Sequence, residues 1–160
     1  KTDYFNEPAP KLTKIPLLKG LDGNKMGKSF NNDIKISDSE EITQKKINTG
    51  ITDRNRIRKD DKGNPDNCEV IFDYWKIFGS NEEVNQICCD CKNAKIGCAQ
   101  CKKMLANKVN QTLAPIREKR LELQKDSNYI KDVIMEGSKK AKIEAQIVMN
   151  GVLEAVKMYH

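Results

Sequence analysis

Apolar residues recur at helical spacing along most of the chain, in stretches bounded by residues that start or stop helices. Ser37 followed by Glu40 reads as a capping box opening the first, with Gly50 as its stop. Asn67 caps a second, in which Val70, Ile71, Tyr74, Trp75 and Phe78 fall on one face before Gly79. That spacing predicts a buried stripe, so these aromatics are core rather than platforms for stacking bases. A third helix begins at Asn81. From Cys98 the period continues through Leu105, Val109, Leu113 and Ile116, with a kink expected at Pro115 and an end near Asp126 and Ser127. The final segment carries Ala141, Ala145, Val148, Val152, Ala155 and Tyr159 on one face, an amphipathic helix that needs a partner surface.

Ahead of these helices the text is extended and interrupted by Pro8, Pro10 and Pro16, and only about Leu12 to Ile15 suits a strand. Residues 51–66 are polar and end in a turn, Asp60-Asp61-Lys62-Gly63-Asn64-Pro65. A doubly wound nucleotide fold needs several strands with crossover helices, and none is spelled out here. The chain therefore reads as a C-terminal piece of something longer, starting at Lys1 rather than methionine.

Composition adds a thin core and an uneven charge. Of 160 residues, 38% are hydrophobic, 6% aromatic and 32% charged, with a net charge of +6. Nine lysines and arginines stand against two acids between Cys91 and Lys125, so the rest of the chain is nearly neutral. A local excess of this kind favours an anionic partner, phosphate backbone first, over a merely solvated face. Lys102, Lys103, Arg117 and Arg120 are the candidate contacts. No apolar run is long enough for a signal peptide or a membrane span, which points to a cytoplasmic protein with no membrane partner. The one histidine, His160, is terminal and expected to be disordered, which leaves no Ser-His-Asp or Cys-His arrangement. The acidic pairs Glu40-Glu41, Asp60-Asp61 and Glu82-Glu83 read as cap or surface residues.

The candidate chemistry begins at Lys25-Met26-Gly27-Lys28-Ser29, entered through Gly20-Leu21-Asp22-Gly23-Asn24. Gly20, Gly23 and Gly27 permit backbone conformations that other residues resist, and two ammonium groups three residues apart can reach the oxygens of one anion. The pattern suits polyphosphate. It resembles the KMSKS signature loop of class I aminoacyl-tRNA synthetases, and the run from Pro16 to Asn32 is similar to the bacterial tryptophanyl-tRNA synthetase family. The segments NCEVIFDYWKIFG (Asn67 to Gly79) and GCAQCKKMLANKVNQTLAPIREKR (Gly97 to Arg120) extend that likeness over nearly the whole chain, as the C-terminal half of such an enzyme. Gly27 stands where the family usually has serine.

The resemblance implies a mainly α fold: residues 1–36 as a remnant of a Rossmann-type catalytic domain, residues 37–160 as a helical tRNA-recognition domain. It also implies that Lys25 and Lys28 are catalytic, neutralising ATP phosphates, within an ATP-binding segment of Lys25, Met26, Gly27, Lys28 and Ser29. The partners of the complete enzyme would be ATP with Mg2+, tryptophan and tRNA(Trp), in a homodimer. The piece alone would be an inactive monomer.

Six cysteines fall at 68, 88, 89, 91, 98 and 101. In a lysine-rich chain without a secretory signal, a disulfide framework is the weaker reading. Spacing alone offers paired knuckles, Cys88-x2-Cys91 with Cys98-x2-Cys101, a four-thiolate zinc pattern. The alternative, Cys68-x22-Cys91-x6-Cys98-x2-Cys101, resembles the iron–sulfur motif of a subset of these synthetases, in which a four-iron cluster lies near the anticodon-binding region. Thiolates suit both metals. The set with Cys68 agrees with the family suggested by the lysine loop, and Cys98 and Cys101 at a helix start are expected as thiolates. Free reduced cysteines without metal remain the third reading. A cysteine-metal nucleic-acid-binding module, with an incidental lysine loop, is the alternative function.

Overall fold

Caps decide where the helices begin, and several sit a residue or two from where the text alone suggests. In the computed structural model, which describes residues 4–13 and 15–158, helix α1 spans Glu40–Thr49 and its cap is Ser39, whose Oγ accepts the Ile42 N–H at 3.2 Å. The expected cap Ser37 is bypassed because Asp38 closes a turn first: its Oδ2 accepts the Lys35 N–H at 2.9 Å and the Lys46 ammonium at 2.7 Å. Asn67 is likewise no cap but the last residue of a 3-10 turn, Pro65–Asn67, and α2 spans Ile71–Phe78. Ser80 rather than Asn81 caps α3 (Asn81–Lys92), in a reciprocal box with Glu83.

Helix α4 spans Cys98–Gln124 and continues through Pro115. Proline there forfeits one backbone bond without ending the helix. Asp126 caps α5 (Ser127–Ala155) by accepting the Tyr129 N–H at 2.9 Å, where the sequence puts it. Among the described residues there is no strand. Leu12 to Ile15 does not form one in the residues described, Lys14 lying outside them, and the only pairing is an isolated antiparallel bridge between Lys19 and Lys25. Tyr159 and His160 also fall outside the described residues.

The described chain forms two compact units, residues 12–118 and residues 4–11 with 119–158. In the first, Ile47 of α1, Ile71, Tyr74 and Trp75 of α2, Ile87 of α3, and Leu105, Val109 and Leu113 of α4 make the core. Trp75 is 3% exposed, which assigns it to packing. The α4 stripe leaves the core after Leu113, and Ile116, expected on it, is 49% exposed. In the second unit α5 has no buried residue, and Val133, Ile134, Ile143 and Ile147 are exposed. Tyr4 donates its hydroxyl to the Val148 carbonyl at 3.1 Å beside Gly151, where a Cβ would lie 2.1 Å from the phenol oxygen.

Candidate functional site

The lysine loop is held by side chains rather than by regular structure. A turn closes from Gly20 to Gly23, with the Gly23 N–H on the Gly20 carbonyl at 2.9 Å and Gly23 at φ +82, a left-handed conformation that favours glycine. Leu21 N–H meets the Asn32 carbonyl at 2.8 Å. The Asn32 side chain then reaches back. Its Nδ2 donates to Asp22 Oδ1 at 2.8 Å and to the Lys25 carbonyl at 3.1 Å, and its Oδ1 accepts the Gly27 N–H at 3.0 Å. Hydrogen bonds from Asn24 and Asn32 hold the Asp22 carboxyl below the usual carboxylate range.

Met26 packs against the core, whereas Lys25, Lys28 and Ser29 are exposed. The nearby Lys19 is paired with Glu69. Among the described residues, no carboxylate pairs with Lys25 or Lys28 in this way. The loop leaves through a 3-10 turn, Lys28–Phe30. Gly27 does not need to be glycine for its backbone: its φ of −167 is extended, which corrects the expectation for that position. Gly20 matters for space instead, since a Cβ there would lie 2.2 Å from Asn32 Nδ2.

Cys68, Cys91, Cys98 and Cys101 line one cavity of about 30 Å³, together with Arg56, Trp75, Ile87 and Ile96. Cys88 and Cys89 are not in its lining, Cys89 being exposed with its Sγ near the Asn93 amide. Two donors point at sulfur: Trp75 Nε1 lies 3.2 Å from Cys101 Sγ, and Arg56 Nη1 lies 3.7 Å from Cys91 Sγ. Gly63 donates its N–H to the Cys91 carbonyl at 3.0 Å and fits tightly there, because a Cβ would lie 2.5 Å from Cys91 Sγ.

Burial pushes the Cys101 thiol up to about 12 and raises Cys68, and it raises Cys91 against the opposing charge of Arg56. Without metal, Cys101 is therefore a thiol, not the thiolate expected from its place at a helix start. The apolar surroundings outweigh the helix dipole. Among the described residues no three His, Cys, Asp or Glu side chains come close enough to chelate a single ion.

The expected RNA contacts separate. Lys102 donates to the Asn48 carbonyl at 2.9 Å and, with Lys103, Gln44 and Asn48, lines an open groove. Arg120 is exposed. Arg117 is instead spent on structure, donating to Thr43 Oγ1 and Asn110 Oδ1, each at 2.9 Å, with its Nε buried and unpartnered. Sequence reasoning passed over Arg56, Arg58 and Lys59, which line a second groove with Gly97, Cys98 and Gln100. The signal was there in the alternating cations of Arg54, Arg56 and Arg58, inside a stretch read as a linker. Asp61 orders that loop by accepting the Ile57 and Arg58 N–H groups.

The family described as tRNA synthetases class I (W and Y) matches residues 1–114. The chain belongs to this family. Among curated relatives of this synthetase family, the tryptophan–tRNA ligase of Aquifex aeolicus is 41% identical over 155 residues, 96% of this chain and 39% of the relative. That of Thermotoga maritima is 40% identical over 157 residues, 98% of this chain and 48% of the relative. The tryptophanyl-tRNA synthetase of Campylobacter jejuni, solved with ADP and tryptophan, superposes with a TM-score of 0.76 at 28% identity, over 90% of this chain and 44% of that one. The chain thus spans under half the length of these synthetases, and the helical fold of its described residues agrees with theirs. Among the described residues no helix is long and apolar enough to cross a membrane.

Proposed function

We propose that this chain is the C-terminal half of a cytoplasmic, homodimeric tryptophan–tRNA ligase, supplying the phosphate-binding loop and a helical surface for tRNA(Trp). The observation that carries it is the lysine loop, with Lys25 and Lys28 exposed on a backbone fixed by Asn32. In this reading tryptophan's carboxylate attacks the α-phosphorus of ATP with its Mg2+, tryptophanyl-adenylate forms, and pyrophosphate leaves. Lys25 and Lys28 stabilise the negative charge that develops on the departing phosphates. Met26, Gly27 and Ser29 complete the ATP-contacting segment, and residues 1–36 continue a nucleotide-binding domain supplied by the other half. The isolated chain, lacking that half, is inactive. The test is tryptophan-dependent pyrophosphate exchange by a ligase carrying this chain, with and without Lys25 and Lys28.

Lys102, Lys103 and Arg120 are the RNA contacts in this reading, whereas Arg117 is held by Thr43 and Asn110. Charge reversal at these three positions should weaken tRNA(Trp) binding and flatten the slope of log affinity against log salt by roughly 0.7 to 0.9 per lost contact. Unchanged affinity and slope would reduce the stretch to a solvated face.

For the cysteines, a four-iron cluster is the reading, because the spacing of Cys68, Cys91, Cys98 and Cys101 resembles the iron–sulfur motif of a subset of these synthetases and the four thiols line one cavity. Cys68, Cys91, Cys98 and Cys101 would hold the cluster, losing their protons on binding. When bound, it supplies a cross-link between these segments. Trp75 and Arg56 orient two of the sulfurs. Anaerobic reconstitution with iron and sulfide tests this: a cluster spectrum lost in Cys68→Ser and kept in Cys88→Ser supports it. The reverse pattern, with zinc bound, selects the paired knuckles.

A further inference from the structure

The lysine loop takes its shape from a residue outside it. Asn32 is 4% exposed, and its carboxamide is fully used, both Nδ2 hydrogens being donated and Oδ1 accepting. Two of its partners, the Lys25 carbonyl and the Gly27 N–H, flank Met26, so one side chain grips the backbone on both sides of the loop's inward-packed residue. The third, Asp22, is itself fixed by the Asn24 N–H at 3.1 Å. Between the isolated Lys19–Lys25 bridge and the turn at Lys28, no backbone ladder does this work. Two exposed like charges on an unpinned loop would repel and sample many shapes, few of which bring both ammonium groups to one polyphosphate.

We propose that Asn32 is a positioning residue for adenylate formation, holding the Lys25–Lys28 backbone in the shape that presents both lysines to the ATP phosphates, with Gly20 as the companion position that leaves room for its carboxamide. The inference rests on the ATP-binding role proposed above for the two lysines. Asn32 itself touches no nucleotide. Its contribution is to prepay the ordering that charge stabilisation in the transition state requires.

The experiment uses a ligase carrying this chain and measures tryptophan-dependent ATP–pyrophosphate exchange. Asn32→Ala should lower kcat about 10- to 100-fold and raise the KM for ATP, as misplaced catalytic groups do, with the KM for tryptophan unchanged. Gly20→Ala should reproduce that split by displacing the carboxamide. In the double variant Gly20→Ala with Asn32→Ala, the added methyl occupies vacated space, so activity should be no worse than with Asn32→Ala alone. Multiplying losses in the double variant, or equal changes in both KM values, would overturn the proposal.

Should Asn32→Ala fail to fold, Asn32→Asp keeps the acceptor for the Gly27 N–H but sets a carboxylate against Asp22. Its activity should recover relative to the unmodified enzyme as pH falls, because one shared proton restores a donor. A pH profile parallel to the unmodified enzyme's would count against the role. Lys25→Ala and Lys28→Ala are run alongside. Loss in those two with full activity in Asn32→Ala sinks the positioning role alone, whereas full activity in the lysine variants removes the ATP reading on which it rests.

Discussion

The lysine loop and the cysteine cavity are built by opposite means within the same compact unit. Around the loop, polar groups saturate one another: Asn32, Asp22 and Asn24 fix the backbone, and the two lysines stay in solvent. Around the cavity, apolar side chains crowd four sulfurs, and burial keeps Cys101 protonated. The first arrangement fixes its backbone with no ligand present, as the phosphate-binding role proposed for it requires. The second favours the neutral form of Cys68, Cys91 and Cys101, so a cation entering it must displace protons. Sites that look alike as motifs, two short clusters of reactive residues, therefore make different demands on the fold.

The largest effect that separates them is on stability. Leu105 is fully buried beside the cysteine region of α4, and Leu105→Ala should cost about 2–5 kcal/mol by leaving a cavity, read from urea denaturation. Lys25→Ala should leave that measurement within about 0.5 kcal/mol. A comparable loss from both would erase the distinction between a core-borne and a solvent-borne site.

Next in size is a rate effect confined to the loop. Lys25→Ala or Lys28→Ala in the ligase should slow adenylate formation by roughly 30- to 1000-fold, equal to about 2–4 kcal/mol, with tryptophan affinity nearly unchanged. Equal losses in affinity and rate would mean that the lysines act before the transition state.

Titration gives a smaller test. Burial pushes Asp38 up, but the hydrogen bonds and charges of Lys46 and Lys35 outweigh it, so its pKa lies below the ordinary 3.8. Its contribution is then present above that value and lost as pH falls through the lower, folded one. Lys46→Met should abolish this acid-side loss in a pH series of thermal unfolding. Tyr74 behaves in the opposite sense: burial and Asp33 raise it from 10 to about 12. The stability it carries is intact below pH 10 and lost as pH rises toward 12, and ultraviolet titration should find one late tyrosine that Tyr74→Phe removes.

The smallest expected change is at Gly27. Its extended backbone admits any residue, and a Cβ would meet the ring of Phe30, 3.0 Å away and itself 64% exposed, with Ser29 Oγ at an ordinary 3.9 Å. Gly27→Ser should alter the exchange rate by no more than about twofold. A tenfold change would show that the hydroxyl or its absence takes part in the chemistry.

What the sequence made legible follows from the range of the forces involved. The α2 stripe through Trp75 and the α4 stripe through Leu113 could be read because periodicity is local and their burial obeys it. Ser37 and Asn81 misled as caps, since Ser39 and Ser80 sat close by with equal chemistry and only the Asp38 turn and the Glu83 contact chose between them. Arg117 counted as surface charge until Thr43, 74 residues earlier, and Asn110, two turns back on the same helix, claimed it. The gathering of Cys68 with Cys91, Cys98 and Cys101 was suggested by a family likeness, but the raised thiols of Cys68, Cys91 and Cys101 were not, because burial depends on neighbours that spacing does not name. Asn32 was passed over for a related reason. A carboxamide five residues past Gly27 carries no motif, and its value lies wholly in what it reaches.

The bond from Tyr4 to Val148 has a consequence in time. It joins positions 144 residues apart, and the phenol fits only beside Gly151. On a ribosome adding about 5–20 residues each second, the segment carrying Tyr4 waits roughly 7 to 30 s for its partner to be made. Residues 12–118 can collapse in that interval, but the unit containing Tyr4 cannot. Protease pulses on stalled nascent chains should find the first segment cleavable until residue 151 has emerged, and protected afterwards. This unit is thus assembled only once both of its distant segments have been made, as a clasp rather than as a seed.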